Sequence, residues 1–108
     1  MTSAMPEPIA DYFAAENGND PETLSQCFVE HAVVRDEGRT MEGTAAIKQW
    51  MAEAKKKYQH TVEPIRAVER GGKIVVIAKV AGNFPNSPVT LEHIFVLDGA
   101  KIASLEIR

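Results

Sequence analysis

The second half of the sequence consists of strand-like runs that follow one another with short connections. We predict strands over residues 58–70, 73–81, 89–97 and 101–107. Gly71-Gly72 separates the first two runs and Asp98-Gly99 the last two, and such pairs are typical of hairpin turns because they adopt positive φ at little cost. Strands joined by hairpins pair antiparallel. This pattern predicts a curved antiparallel sheet, with Pro64 indicating an edge strand or a bulge.

A helix of about three turns is predicted near the start of the chain. Pro6 or Pro8 suits its first turn. Apolar residues then recur at spacings of three and four, which indicates one buried face, and the stripe contains Ile9, Tyr12, Phe13 and Glu16. We expect Gly18 to end this helix in the left-handed conformation.

A second, short helix is predicted directly after this turn. Asp20 is a suitable N-cap, and Pro21 is a suitable first residue. The helix is expected to present Leu24, Cys27 and Phe28 to the core. Cys27 is the only cysteine, and we expect it to be a small buried hydrophobe rather than a nucleophile.

The segment between the short helix and the four runs combines a strand end with a helix. Predicted here are a strand over residues 32–36, a short strand over 39–41 and a helix over 44–57. Asp36 stands where the first strand ends, and Trp50 lies on the helix. An acid at a strand end, facing a helix that carries an aromatic residue, can place a charge at the mouth of an apolar cavity.

Composition limits the class of protein and its partners. The chain of 108 residues is 44% hydrophobic and 25% charged, which fits one domain over residues 6–108 after a disordered or tag-like start at 1–5. A net charge of −3 gives no basic surface for nucleic acid. The sequence contains neither an apolar run of membrane-spanning length nor a signal peptide. We therefore expect a cytoplasmic protein without nucleic-acid or membrane partners.

The predicted order of elements is ααββαββββ, which indicates an α+β fold with helices on one face of a curved antiparallel sheet. At this point the chain resembles the nuclear transport factor 2-like (NTF2-like) superfamily of cone-shaped barrels, which includes ketosteroid isomerases, SnoaL-type polyketide cyclases and limonene epoxide hydrolases. The resemblance rests on residues 9–28, 31–38, 41–50 and 91–107. It implies a sheet wrapped around three helices from the N-terminal half.

Within that superfamily the chain is most similar to the ketosteroid isomerases. The resemblance implies that Asp36 moves the proton and that Tyr12 donates to the oxyanion. It also places Glu92 where the isomerases hold a protonated aspartic acid as the second donor. Such chemistry needs no cofactor.

The resemblance also predicts the lining of a ligand pocket. We expect the ligand-binding residues to be Trp50, Phe13, His93, Phe95 and Leu105. The strand over 89–97 leaves two alternatives, because its period of two puts either Glu92 or His93 on the cavity side. His93 is therefore a rival general base, with a hydrogen-bonded histidine of the sheet as the structural alternative.

Other chemistries find little support in the sequence. His31 and His60 have no metal-ligand spacing, so we predict no metal site. The epoxide-hydrolase arrangement needs two aspartates around an arginine. Arg35 or Arg66 could supply the arginine, but a second aspartate is not evident.

Two classes of function follow from the sequence. The first is an isomerase or cyclase that acts by proton transfer on a small apolar carbonyl compound. The second is a non-catalytic module for small-molecule binding or dimerisation. A homodimer through the outer face of the sheet is expected because Val75, Ile77 and their neighbours leave both faces apolar.

Overall fold

The computed structural model describes residues 5–108, and its elements follow the predicted order. The helices are α1 Glu7–Asn17, α2 Pro21–Ser25 and α3 Thr44–Tyr58. The strands are β1 Phe28–Asp36, β2 Arg39–Glu42, β3 Thr61–Arg70, β4 Lys73–Ala81, β5 Val89–Asp98 and β6 Lys101–Ile107. Of the predicted disordered start, residues 1–4 lie outside the described residues, and Met5 packs against the core.

The six strands form one sheet in the order β2-β1-β6-β5-β4-β3. Neighbouring strands pair antiparallel except for β1 and β6, which are parallel. The sheet is therefore mixed rather than wholly antiparallel as predicted, because the last strand inserts beside β1, to which no hairpin connects it. Pro64 lies in the edge strand β3 beside a shift in register, which confirms the predicted edge position and bulge.

The curved sheet wraps around the helices, which pack on one of its faces. Helix α1 contacts β3 and β6, and α3 contacts β1 and β2. Alternating residues of β4 and β5 point toward the helices, and the resulting core includes Ile9, Leu24, Ile47, Val76, Phe95 and Leu105. Among residues 5–108, no helix combines the length and the hydropathy that a membrane crossing requires.

Two local predictions for the first two helices were wrong. Gly18 has φ −81°, and Asn19 takes the left-handed conformation with φ 53°, which asparagine tolerates through local hydrogen bonding. The second helix ends at Ser25, so Phe28 is the first residue of β1 rather than a helical residue. The reason is tertiary: the carbonyl of Cys27 accepts a hydrogen bond from the amide of Ile102 in β6. Cys27 is buried, as expected.

Candidate active site

A cavity of about 390 Å³ opens between the helices and the inner face of the sheet. This volume is within the range of small-molecule pockets. Its wall is mostly apolar, and the apolar side chains include Met51, Ala54, Val80, Phe84, Val89 and Leu91. Acidic and histidine side chains occupy one part of the wall, so the cavity joins an apolar body to a polar end.

Asp36 and Trp50 meet at this polar end. Asp36 is the last residue of β1, and Trp50 lies in the middle of α3. The indole Nε1 donates to Asp36 Oδ2 at 3.1 Å. Burial raises the pKa of Asp36 above its ordinary value, and the Trp50 hydrogen bond partly offsets that increase. The structure thus brings these two predicted residues together at the cavity wall.

A second polar pair lies in the same wall. Glu16 of α1 and His60, next to β3, are only 4% and 7% exposed, and Nε2 of His60 is 2.6 Å from Oε2 of Glu16. The ammonium of Lys55 donates to the backbone carbonyl of His60, which fixes the segment that carries the imidazole. Both members of the pair line the cavity.

Several buried polar atoms around this pair have no hydrogen-bond partner among the described residues. They are Tyr12 OH, Glu16 Oε1, His60 Nδ1 and His93 Nδ1. The Tyr12 hydroxyl lies close enough to the Glu16 carboxylate to be affected by its charge, although it makes no hydrogen bond of normal geometry. Its pKa is raised well above the ordinary value, first by burial and then by Glu16. Buried polar groups are usually paired, so the unpartnered atoms of the three lining residues, Glu16, His60 and His93, can receive polar atoms of a ligand.

The structure selects one face of β5. Leu91 and His93 line the cavity, and Phe95 lies in the core. Burial lowers the pKa of His93, while the charge of Glu16 partly opposes that change. His93 therefore belongs to the cavity wall with its neutral form favoured.

Glu92 lies on the opposite face of the same strand, so its predicted role as a second oxyanion donor is wrong. It is opposite Ile77 of β4, and its backbone pairs with Arg108. Because successive side chains of a strand point to opposite faces, Glu92 cannot reach the cavity while His93 lines it. The sequence predicted two faces but not which one faces the helices.

Three predicted ligand-binding residues also lie elsewhere. Phe13, Phe95 and Leu105 are at most 3% exposed and belong to the hydrophobic core, not to the cavity wall. Tyr12 is likewise behind the wall, and its ring packs edge-on against Phe13 at 5.1 Å and Phe95 at 5.5 Å. The aromatic residues of this cluster fill space rather than offer a surface, because the helix α1 sits directly on the sheet.

Sequence reasoning missed Glu16 and His60 as a pair. One signal was available: Glu16 is four residues from Tyr12, so an acid continues the apolar stripe of α1. His60 had a weaker signal, since it is two residues before the buried Val62 and shares its face. Their meeting across 44 residues depends on how α1 packs against β3.

The rim of the cavity is formed by the loop after β4. A side-chain carbon at Gly82 would lie 2.8 Å from the carbonyl oxygen of Tyr58 and 3.0 Å from Cα of His60. Glycine therefore permits the loop to approach the segment that carries His60. Beyond it, the ring of Phe84 packs edge-on against Tyr58 at 5.9 Å, and both rings line the cavity. In residues 5–108, no three His, Cys, Asp or Glu side chains are arranged to hold a metal ion.

Comparisons with known proteins agree with this architecture. A family model described as a SnoaL-like domain matches residues 9–105. A crystal structure from Sinorhizobium meliloti, of a protein provisionally described as a polyketide cyclase, has 43% sequence identity and a TM-score of 0.91, and the match covers 95% of this chain and 94% of that one. No curated protein matches the sequence.

More distant structures share the fold. A hypothetical protein with a ketosteroid isomerase-like fold from Catenulispora acidiphila, solved with trimethylamine, has 23% identity and a TM-score of 0.85, covering 99% of this chain and 86% of that one. The epoxide hydrolase/cyclase-like enzyme SalBIII of salinomycin pyran ring formation has 23% identity and a TM-score of 0.79, covering 94% and 86%. At these identities the likeness shows the fold alone.

Proposed function

Because the chain belongs to the SnoaL-like domain family, with the NTF2-like, ketosteroid isomerase-like fold, we propose that it is an enzyme of proton transfer. Its substrate is a small, largely apolar carbonyl compound, and the reaction is an isomerisation or a cyclisation that needs no cofactor. A polyketide cyclase description of the similar Sinorhizobium meliloti protein is compatible with this class of chemistry.

The Asp36 carboxylate in the wall of an apolar cavity is the observation that carries the proposal. A carboxylate whose pKa is raised by burial is a stronger base than one in water, which suits removal of a proton beside a carbonyl group. Trp50 donates a hydrogen bond to Oδ2 of Asp36, and Oδ1 of Asp36 has no partner among the described residues. The apolar wall would hold the carbon skeleton of the substrate against Oδ1.

The proposed reaction starts with transfer of the α-proton from carbon to Asp36. The C–H electron pair moves into the carbonyl group, and an enolate forms. In an isomerase the proton returns from Asp36 to a different carbon. In a cyclase the enolate carbon instead attacks a second electrophilic carbon of the same molecule, and the proton is delivered to the oxygen that becomes charged.

Exchange of α-protons tests this step without knowledge of the natural substrate. We would incubate 2-tetralone, cyclohexanone and acetophenone with the protein in D2O and follow loss of the α-proton signals by NMR. We expect exchange above the buffer rate with at least one ketone, and a decrease of about 10²–10⁴-fold with Asp36→Asn. Glu53→Gln, at an exposed acid of α3, is the matched control. Unchanged exchange with Asp36→Asn, or no exchange with any ketone, contradicts the proposal.

The second candidate function is a binding module that uses the same cavity without turnover. It is favoured by the mostly apolar wall, which would hold an apolar molecule whatever the state of Asp36. Binding of 2-tetralone without exchange, equal in the natural protein and Asp36→Asn, would support it.

A further inference from the structure

We propose that the Glu16–His60 pair is an anion-binding subsite in which protonated His60 donates from Nδ1 to the enolate or phenolate oxygen of a ligand. The inference rests on the proposed function, because it supplies the oxygen-side partner of the proton transfer at Asp36. It gives the polar end of the cavity two unequal groups: a base for the carbon-bound proton and a donor for the oxygen.

The contact with Glu16 determines which ring nitrogen remains for a ligand. Oε2 of Glu16 lies 2.6 Å from Nε2 of His60. The other ring nitrogen of His60, Nδ1, has no partner among the described residues. A protonated imidazole has a donor on each nitrogen. One donor is therefore used to hold the ring in place, and the other stays unpaired in a side chain that lines the cavity.

The chemistry requires such a donor. Charge that develops on an oxygen in an apolar cavity is costly unless a fixed donor meets it. Glu92, which the resemblance assigned to this task, lies on the outer face of the sheet. A carboxylate 2.6 Å from Nε2 would balance the charge of an imidazolium at His60, so such a pair is tolerated in a buried position.

His93 is the natural comparison within the same wall. Its Nδ1 is also buried and unpartnered, but it has no hydrogen bond to a carboxylate. Burial favours its neutral form, so it cannot offer the same cationic donor. The other titratable groups around His60 are Tyr12 and Glu16 from α1, Lys55 from α3 and Asp36 from β1.

Binding of 4-nitrophenol tests the subsite, because its absorption band distinguishes the bound phenolate from the phenol. We expect the protein to bind the phenolate. Glu16→Gln and His60→Gln should weaken phenolate binding about tenfold, since each removes a charged hydrogen bond. His60→Asn, whose amide nitrogen can occupy the place of Nδ1, should retain part of the affinity that His60→Gln loses.

The matched control is His31→Gln, at an exposed histidine of β1, which should alter phenolate affinity less than about twofold if His60 provides the donor. Equal binding by Glu16→Gln, His60→Gln and the natural protein would overturn the inference, as would a loss confined to His93→Gln. If the variants fail to fold, nitrogen NMR of histidine-labelled protein decides: a neutral His60 in the phenolate complex contradicts the subsite.

The two proposals fail in different ways. If phenolate binding depends on His60 but the protein exchanges no ketone α-protons, the subsite proposal stands and the enzyme proposal fails. If ketone exchange depends on Asp36 but phenolate binding is unchanged in Glu16→Gln and His60→Gln, the enzyme proposal stands and the subsite proposal fails.

Discussion

The indole nitrogen of Trp50 donates to Oδ2 of Asp36 across 3.1 Å, and this hydrogen bond ties the end of β1 to the middle of α3. The bond fixes one carboxylate oxygen and thereby sets the direction in which the other can meet a substrate. It also stabilises the charged form of Asp36 against the effect of burial. Orientation and basicity of the proposed base therefore depend on the same contact.

Replacing the indole tests this dependence. Trp50→Phe keeps an aromatic ring but removes the donor, so we expect the pKa of Asp36 to rise further and the stability to decrease by about 1–2 kcal/mol. The rise should appear as a shift of the inflection in the pH profile of ketone exchange to higher pH. Gln49→Ala, at an exposed neighbour on α3, should leave the inflection in place. A shift to lower pH would contradict the role of the bond.

Asp36 should also affect how stability depends on pH. Burial raises its folded pKa above the unfolded value, so ionisation costs free energy in the folded state. That cost is absent below the unfolded carboxyl pKa of about 4 and complete above the folded pKa. Asp36→Asn should therefore increase the unfolding free energy at pH 7 by less than about 1 kcal/mol, because solvent screens a partly exposed group, and the gain should disappear at acid pH.

Urea denaturation of both proteins at several pH values measures this difference. Asp20→Asn serves as a control of opposite sign. The hydrogen bonds from Thr23 lower the pKa of Asp20, so its charge stabilises the folded state above the unfolded pKa and the benefit is lost as pH falls. A gain from Asp36→Asn that grows toward acid pH would contradict the assignment.

The sequence predicted what depends on local patterns. The order of elements along the chain and the hairpins followed from β-prone runs and turn residues, and Lys73–Ala81 has the predicted bounds. The meeting of Asp36 with Trp50 was within reach because only a hairpin and half a helix separate them. These features need no knowledge of distant contacts.

The remaining features depend on tertiary packing. The period of two in β5 identifies two faces, but only the helices on the sheet decide that His93 faces the cavity and Glu92 does not. The pairing of Glu16 with His60 requires α1 to lie beside β3. Likewise, Phe13 is covered by the sheet rather than by a ligand.

The Glu16–His60 pair should show strong energetic coupling. Glu16→Leu leaves a buried histidine without its partner and should reduce stability by about 3 kcal/mol, and His60→Leu leaves the carboxylate alone in the same way. Replacing both residues with leucine should cost less than the two single replacements summed, because no polar group is then left unpaired. Urea denaturation of the four proteins gives the coupling energy.

The exposed ion pair between Lys48 and Glu22 is the comparison, and its cycle should give a much smaller coupling energy than the buried pair. Its side chains are 51% and 60% exposed. Equal coupling energies in the two cycles would contradict the prediction that burial strengthens the coupling between Glu16 and His60.

Filling the cavity should remove binding without removing the fold. Ala54 of α3 lines the cavity, so Ala54→Trp places an indole in the space for the ligand. We expect the affinity for 4-nitrophenol to fall at least about tenfold, since the apolar contact area is lost. Ala52→Trp adds the same group at an exposed position of the same helix and should bind normally. Retained binding in Ala54→Trp would place the ligand outside this cavity.

The outer face of the sheet carries a row of apolar residues that the helices do not cover. Val68, Val75 and Ile94 are opposite one another across β3, β4 and β5. Val68 and Ile94 are half-buried and flank the buried Val75, and incompletely covered apolar faces of this kind can mark interfaces. We therefore propose a homodimer through this face, in which a two-fold axis would bring the same row from each copy together.

Ile94→Lys tests that dimer at the centre of the row. A two-fold interface would contain the new charge twice, and burying two unpaired lysines should convert the dimer to a monomer. Light scattering after size-exclusion chromatography measures the mass over a range of concentrations. Lys73→Glu changes charge at an exposed position of the β3–β4 hairpin and should leave the dimer intact. A natural protein that is monomeric at every concentration, or a dimer that survives Ile94→Lys, would contradict pairing through this face.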